Sequence, residues 1–130
     1  MSVPAELFGV PVTALPRLLG AATLAYSVAV VAKPKVLAGP CGLVDEFGNV
    51  PRDVATAVRA VSTRDAIISA AMLVTPAGPA LRAVTATRAL CDLSDALVFG
   101  SMAKDPVARK KIVAVTATWG TLIWISRRWA

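Results

Sequence analysis

The two stretches 54-VATAVRAVSTRDAIISAAMLVT-75 and 79-PALRAVTATRALCDLSDALVFG-100 decide how this chain is read, because charged residues fall inside two apolar runs of helical length. The residues are Arg59, Arg64, Asp65, Arg88, Asp92 and Asp95. With 76-PAG-78 as the turn, the runs fold back as an antiparallel pair. Residues at equal depth then have numbers adding to about 153, with roughly 1.5 Å of depth per residue. This register sets Asp65 level with Arg88 and Arg59 level with Asp95. It leaves Arg64 roughly 4.5 Å along the axis from Asp92, within side-chain reach. Three acids are expected to meet three bases. An isolated charge at a bilayer centre costs at least roughly 2.5–3.5 kcal/mol, so charges there pair or face a wet cavity.

Composition points the same way. The chain has 130 residues, room for one compact unit over 1–130 and no separate catalytic domain. Hydrophobic residues make up 56% of it and the mean hydropathy is +0.66, more apolar than a small soluble domain can hide from water. Two further apolar runs lie outside the central pair, giving expected spans at 15–32, 54–75, 79–100 and 107–125. Pro16 and Pro106 suit helix starts, Lys33-Pro34 suits a stop, and Arg127-Arg128-Trp129 suits an interfacial anchor. Small residues Gly20, Ala21, Thr23, Ala25 and Ser27 permit close helix contact in the first span. The expected fold is all-α, an integral membrane four-helix bundle.

The formal charge of +6 raises nucleic-acid binding as a candidate. The bases argue against it: Lys33, Lys35, Arg52, Lys104, Arg109, Lys110, Lys111, Arg127 and Arg128 flank apolar runs, as headgroup anchors do. The loops 33–53 and 101–111 hold more bases than the opposite side, which has Arg17, Arg82, Arg127 and Arg128. The positive-inside rule therefore places both loops in the cytoplasm and both termini outside the cell membrane.

The N-terminal MSVPAELFGVPVTAL lacks a basic n-region and carries Glu6, unlike a secretory signal. It reads as an ordered arm, a short interfacial helix or a loose tail. Between the first two spans, KPKVLAGPCGLVDEFGNVPRD is long for a structureless loop. Val36, Leu37, Leu43, Val44 and Phe47 suggest that it caps one mouth of the bundle, with turns at Gly39-Pro40 and Gly48-Asn49.

The chain has no histidine, which removes the commonest general base, the usual triads and most metal sites. No phosphate loop or dinucleotide fingerprint is present, so no cofactor or metal is expected. Cys41 and Cys91 have no CxxC spacing; no disulfide is expected, and Cys91 reads as buried and inert. A polar stripe, Arg82, Thr85, Arg88, Asp92 and Asp95, keeps to one helix face, and Ser62, Asp65, Ser69 and Met72 share another.

RLLGAATLAYSVAVVAKP, STRDAIISA and RALCDLSDALV together resemble the DoxX-like group of small four-span membrane proteins, in particular its uncharacterised branch. The similarity covers roughly residues 16–126 and implies a four-helix membrane bundle without a settled activity. In that branch an Arg followed by an acid opens the second run and an Asp sits in the third, so the resemblance carries over to Arg64, Asp65, Arg88 and Asp95; the absence of a histidine in the last span is a departure from it.

Two functions compete on this reading. One is a cofactor-free hydrolase, cyclase or isomerase acting on a lipophilic terpenoid- or steroid-like molecule, with Asp92, Asp95, Asp65 and Arg88 as catalytic candidates. Arg64, Arg59, Tyr26 and Ser62 would bind its substrate. Asp65, level with Arg88, is expected to stay ionised, so the acid would be Asp92 or Asp95, in a site opening toward the 33–53 loop. The other is a non-enzymatic membrane subunit or lipid-binding bundle, alone, as a homo-oligomer or with a membrane partner, whose charges only fix packing. A closed, fully paired network favours the second, and an acid beside an apolar pocket favours the first.

Overall fold

The computed structural model of the chain describes residues 6, 7 and 9–130. Apart from a small hairpin, the regular elements among the described residues are all helical. Strands β1 (Glu6–Leu7) and β2 (Val10–Pro11) pair antiparallel, Glu6 opposite Pro11 and Leu7 opposite Val10, around Gly9 at φ 77°. An interfacial helix in the arm is thus replaced by a hairpin, because Gly9 supplies the left-handed turn and Pro11 cannot continue a helix. What was expected of residues 1–5 and 8 lies outside the described residues.

Five helices follow: α1 (Ala14–Ala32), α2 (Lys35–Ala38), α3 (Arg52–Val74), α4 (Pro79–Met102) and α5 (Pro106–Ser126), with a final 3-10 turn Arg127–Trp129. The four long ones fall close to the expected spans. Their starts follow from proline and capping chemistry. Gly78, at φ 118°, delivers Pro79 to the first turn of α4, and the Asp105 carboxylate accepts from the backbone N–H of Val107 (3.2 Å) and Ala108 (3.4 Å) ahead of α5. α2 is a single turn inside the long connection.

α1 packs along α3 and α4 along α5, and the two pairs meet where α3 crosses α4. Glycine allows each close approach. A Cβ on Gly20 would stand 2.9 Å from the Met72 Cβ, and one on Gly120 would stand 3.0 Å from the Asp92 Cβ. The buried stripe of α1 is correspondingly small: Pro16, Gly20, Thr23, Ser27 and Val30, while Ala21 and Ala25 face out.

Three arginines close helix ends on neighbouring elements, and this corrects their reading as free anchors or as members of the central cluster. Arg17 donates to the carbonyls of Met72 (3.1 Å), Leu73 (2.8 Å) and Thr75 (3.1 Å) at the end of α3. Arg109 donates to Gly100 (3.1 Å) and Ala103 (2.9 Å) at the end of α4, and Arg59 to Val31 (3.1 Å) at the end of α1. Each supplies donors and positive charge where terminal carbonyls have neither. Arg127 does lie at the chain's far end, over the Trp124 ring at 4.0 Å.

The connection between α1 and α3 covers one end of the bundle, as expected of a cap. Cys41 and Leu43 pack against Phe99, Ala103 and Ile112. Gly42 (φ 68°) and Gly48 (φ 76°) make its turns, and the Asp45 carboxylate accepts from the N–H of Phe47 (2.9 Å) and Asn49 (2.8 Å). That tight turn throws Phe47 outward, 80% exposed, so it is not part of the packed face.

Among the described residues one helix, α1, is long and apolar enough by composition to cross a membrane, with a hydropathy of 1.5. The expectation of four such runs is met in length but not in composition. The buried cluster charges α3 and α4, and Arg109, Lys110 and Lys111 charge the first turn and a half of α5.

Candidate functional site

Where α3 crosses α4, five side chains form one alternating chain: Asp92, Arg88, Asp65, Arg64, Asp95. Arg88 contacts Asp92 one turn along α4 and Asp65 across on α3. Arg64 holds Asp65 and Asp95 at 2.7 Å each. The stripe that builds this on α4 is Leu81, Thr85, Arg88, Asp92, Asp95 and Phe99, all buried at helical spacing; Arg82 is exposed and outside it. On α3 the buried face is Val58, Ser62, Ser69 and Met72, with Asp65 half-buried on it.

The pairing differs from the expected one in two places. Asp65 meets Arg88 at equal depth, but Asp95 takes Arg64 and not Arg59, while Arg88 takes Asp92. Equal depth selects a partner only for short side chains. Arg64 reaches an acid about six residues, about 9 Å of axis, off the simple register, because its guanidinium arm is long and the helices cross. Arg59, with its base beside the end of α1, turns to that helix's carbonyls instead. Three carboxylates therefore share two guanidiniums, and with every group ionised the cluster carries one surplus negative charge.

Beside the cluster lies a cavity of about 390 Å³ between α1, α3, α4 and α5. Asp65, Arg88, Asp92 and Asp95 supply its charged lining, and its walls are mostly apolar, among them Ala22, Val61, Phe99, Ile112 and Val115. Leu37, Pro40 and Cys41 from the capping segment and Lys111 from α5 line its other end. The eight residue steps from Lys111 to Trp119 on α5, both in its lining, make the cavity about 12 Å long. It thus reaches toward the 33–53 segment, away from the Pro76 turn.

Asp92 is only 5% exposed, and while its Oδ1 engages Arg88, its Oδ2 has no hydrogen-bond partner. Arg88, 2% exposed, likewise keeps its Nε–H without an acceptor. A buried polar atom without a partner is costly, and here it lies on a residue lining a cavity. Asp65 is the acid most fully engaged by cations, touching both Arg64 and Arg88.

Of the remaining candidates, Tyr26 lines the cavity and is half exposed. Ser62 is buried in the α3 face, outside the cavity lining, and Arg64 braces the acids from outside that lining. Arg59 is absent from both cluster and cavity. Thr116 and Trp119, which the sequence did not single out, line it, as does Lys111, which was expected only as a headgroup anchor. The Trp119 indole donates to the Thr23 hydroxyl at 3.0 Å, which donates in turn to the Leu19 carbonyl at 2.9 Å, tying α5 to α1. The 3–4 spacing of Ile112, Thr116 and Trp119 along α5 was visible, but nothing local distinguished that face from the rest of an apolar helix.

Both cysteines are free, and Cys91 is half-buried where a fully buried one was expected. Burial pushes the Cys41 thiol above the usual range, with Lys111 nearby acting against this. Among the described residues no group of three or more His, Cys, Asp or Glu is arranged to hold a metal.

Comparison with protein-family models, with curated proteins and with solved structures brings no match.

Proposed function

We propose that this chain is an integral membrane bundle of the DoxX-like kind that binds a lipophilic small molecule beside the Asp92 carboxyl and acts on it by acid-base chemistry. The membrane reading is supported by the outer faces of the long helices. Leu18, Ile67, Leu97 and Leu122, one on each, are 46–77% exposed, an arrangement suited to lipid and ill-suited to water. Both basic loops then lie in the cytoplasm, and both termini outside.

The observation that carries the ligand reading is the unpartnered Oδ2 of Asp92 on an apolar cavity large enough for a terpenoid-sized molecule. In its protonated form Asp92 can give its proton to an epoxide oxygen as water adds to the ring carbon. The proton released by that water returns to the carboxylate, so atoms and charge balance without a cofactor. Asp95 lines the same cavity and is the second candidate, whereas Asp65 is held by two guanidiniums.

A non-enzymatic bundle, as accessory subunit or homo-oligomer, is the second reading. It is favoured by the ion-pair chain itself, which joins α3 to α4 and would fix their packing without any ligand.

The test is solvent extraction of the detergent-purified protein with mass spectrometry of what co-purifies, together with turnover of lipophilic epoxides. The proposal expects a co-purifying apolar molecule and loss of turnover in Asp92→Asn. Full turnover in both Asp92→Asn and Asp95→Asn, with nothing apolar bound, would count against it.

A further inference from the structure

Resting on the pocket reading above but not on its acid-base step, which needs Asp92 protonated, we infer that the preferred occupant of this cavity is a lipophilic amine, bound with its ammonium group on the Asp92 carboxylate. Three features of the site converge on that chemistry. First, the cluster holds three carboxylates against two guanidiniums, so one negative charge is left over, in surroundings where charge is poorly solvated. Second, Asp92 and Asp95 each have a single guanidinium contact, are buried and line the cavity, but the fully buried oxygen without a partner is on Asp92. Third, two aromatic residues, Tyr26 and Trp119, line the same space, and aromatic faces attract ammonium groups.

The competing head groups fit less well. A neutral hydroxyl could donate to Asp92 Oδ2 and accept from Arg88 Nε, yet it leaves the surplus charge in place. A carboxylate or phosphate would add to that surplus at the acidic end; its one cationic partner in the lining apart from Arg88 is Lys111, which is exposed at the other end and screened there. The body of the ligand follows from the walls, which are apolar over about 12 Å, the length of a chain of roughly ten carbons.

An ammonium head could come from a simple long-chain amine or from an ethanolamine phospholipid, and the experiment separates these. The full chain, purified in a neutral maltoside detergent, is titrated calorimetrically with decylamine, decanol, decanoate and a lysophosphatidylethanolamine. Decylamine should bind about tenfold more tightly than decanol, because the hydrogen bond to the carboxylate becomes charge-assisted. In Asp92→Asn that preference should collapse to parity. Tyr26→Leu, on the half-exposed side of the lining, should weaken decylamine more than decanol, and so keeps the idea testable if Asp92→Asn is unstable. Tighter binding of the lysophospholipid than of decylamine would support the ammonium assignment with a lipid as its source. Equal or tighter binding of decanol, tightest binding of decanoate, or an amine preference that survives Asp92→Asn would overturn the inference while leaving the pocket reading in place. Failure of all four to bind would overturn both.

Discussion

The cluster's charge count makes an asymmetric prediction. Removing any one acid leaves two acids and two bases, with each arginine still touching a carboxylate: in Asp65→Asn, Arg88 keeps Asp92 and Arg64 keeps Asp95. Removing Arg88 instead leaves three acids and one base. Asp92 then has no cation, while Asp65 retains Arg64. Breaking a buried pair so that one charge is stranded costs about 3–5 kcal/mol. Losing a hydrogen bond to a charged group costs about 1.5–3 kcal/mol, here offset by relief of the surplus charge. Arg88→Gln should therefore lower the melting midpoint by about 12–20 °C, taking about 4 °C per kcal/mol for a chain of this size. Asp65→Asn, Asp92→Asn and Asp95→Asn should each lower it by less than about 8 °C on the same scale. Arg64→Gln should fall between, because Arg64 is 37% exposed and water replaces part of what is lost. Circular dichroism at a helical wavelength during heating in detergent gives the ranking. If the three acid variants melt as early as Arg88→Gln, the charge count is wrong and the pairs act independently.

Three other outcomes follow from particular contacts. Arg17→Ala removes the donors from three carbonyls at the end of α3 and should cost about 1.5–3 kcal/mol, read as a lower melting midpoint with local loss of amide-exchange protection around Leu73. Gly120→Val puts a branched side chain where a Cβ would already lie 3.0 Å from Asp92 and 3.3 Å from the Ala89 carbonyl, and should cost about 1–3 kcal/mol by separating α5 from α4. In a Cys91→Ser background Cys41 should react slowly with a maleimide at neutral pH and faster as pH rises, since burial raises the thiol's proton affinity and only the thiolate attacks. The sign for stability is the same: a raised thiol favours the folded state below the ordinary thiol range, and that contribution fades as pH climbs through the raised value. Fast, pH-independent labelling at neutral pH would show Cys41 to be open.

The helices were legible because their signals are local. Pro79 after Gly78, Asp105 before Pro106 and the Lys33-Pro34 stop each act through one turn of backbone, and the observed ends fall within a few residues of the expected ones. The stripe Ser62, Asp65, Ser69 and Met72 was legible for the same reason, being pure helical periodicity. Partner choice was not. It depends on how far α3 leans onto α1, which brings Arg59 to the Val31 carbonyl, and on crossing geometry, which brings Arg64 to Asp95. Neither is encoded in spacing along one helix. That is also why the expected balance of three acids with three bases failed, and why Trp119, reached only through its bond to Thr23 on α1, was passed over.

Fixing α3 against α4 needs no more than one ion pair, and Asp65 with Arg88 provides it. Asp92 and Asp95 add buried charge beyond that need, and both line the cavity. A buried ionic network of this kind is commonly no more stable than apolar packing of equal volume; such replacements run from neutral to about 1–4 kcal/mol stabilising. The variant with Arg64→Met, Asp65→Leu, Arg88→Met, Asp92→Leu and Asp95→Leu should therefore fold with an unchanged or higher melting midpoint. It should at the same time lose any preference for polar-headed lipophiles and any turnover, because the whole polar end of the cavity is gone. A variant that no longer folds into a single species would assign the network to specifying the helix packing, and would favour the non-enzymatic bundle over the ligand site. Retained folding with retained ligand preference would show instead that recognition lies elsewhere in the cavity, at Tyr26, Thr116 or Lys111.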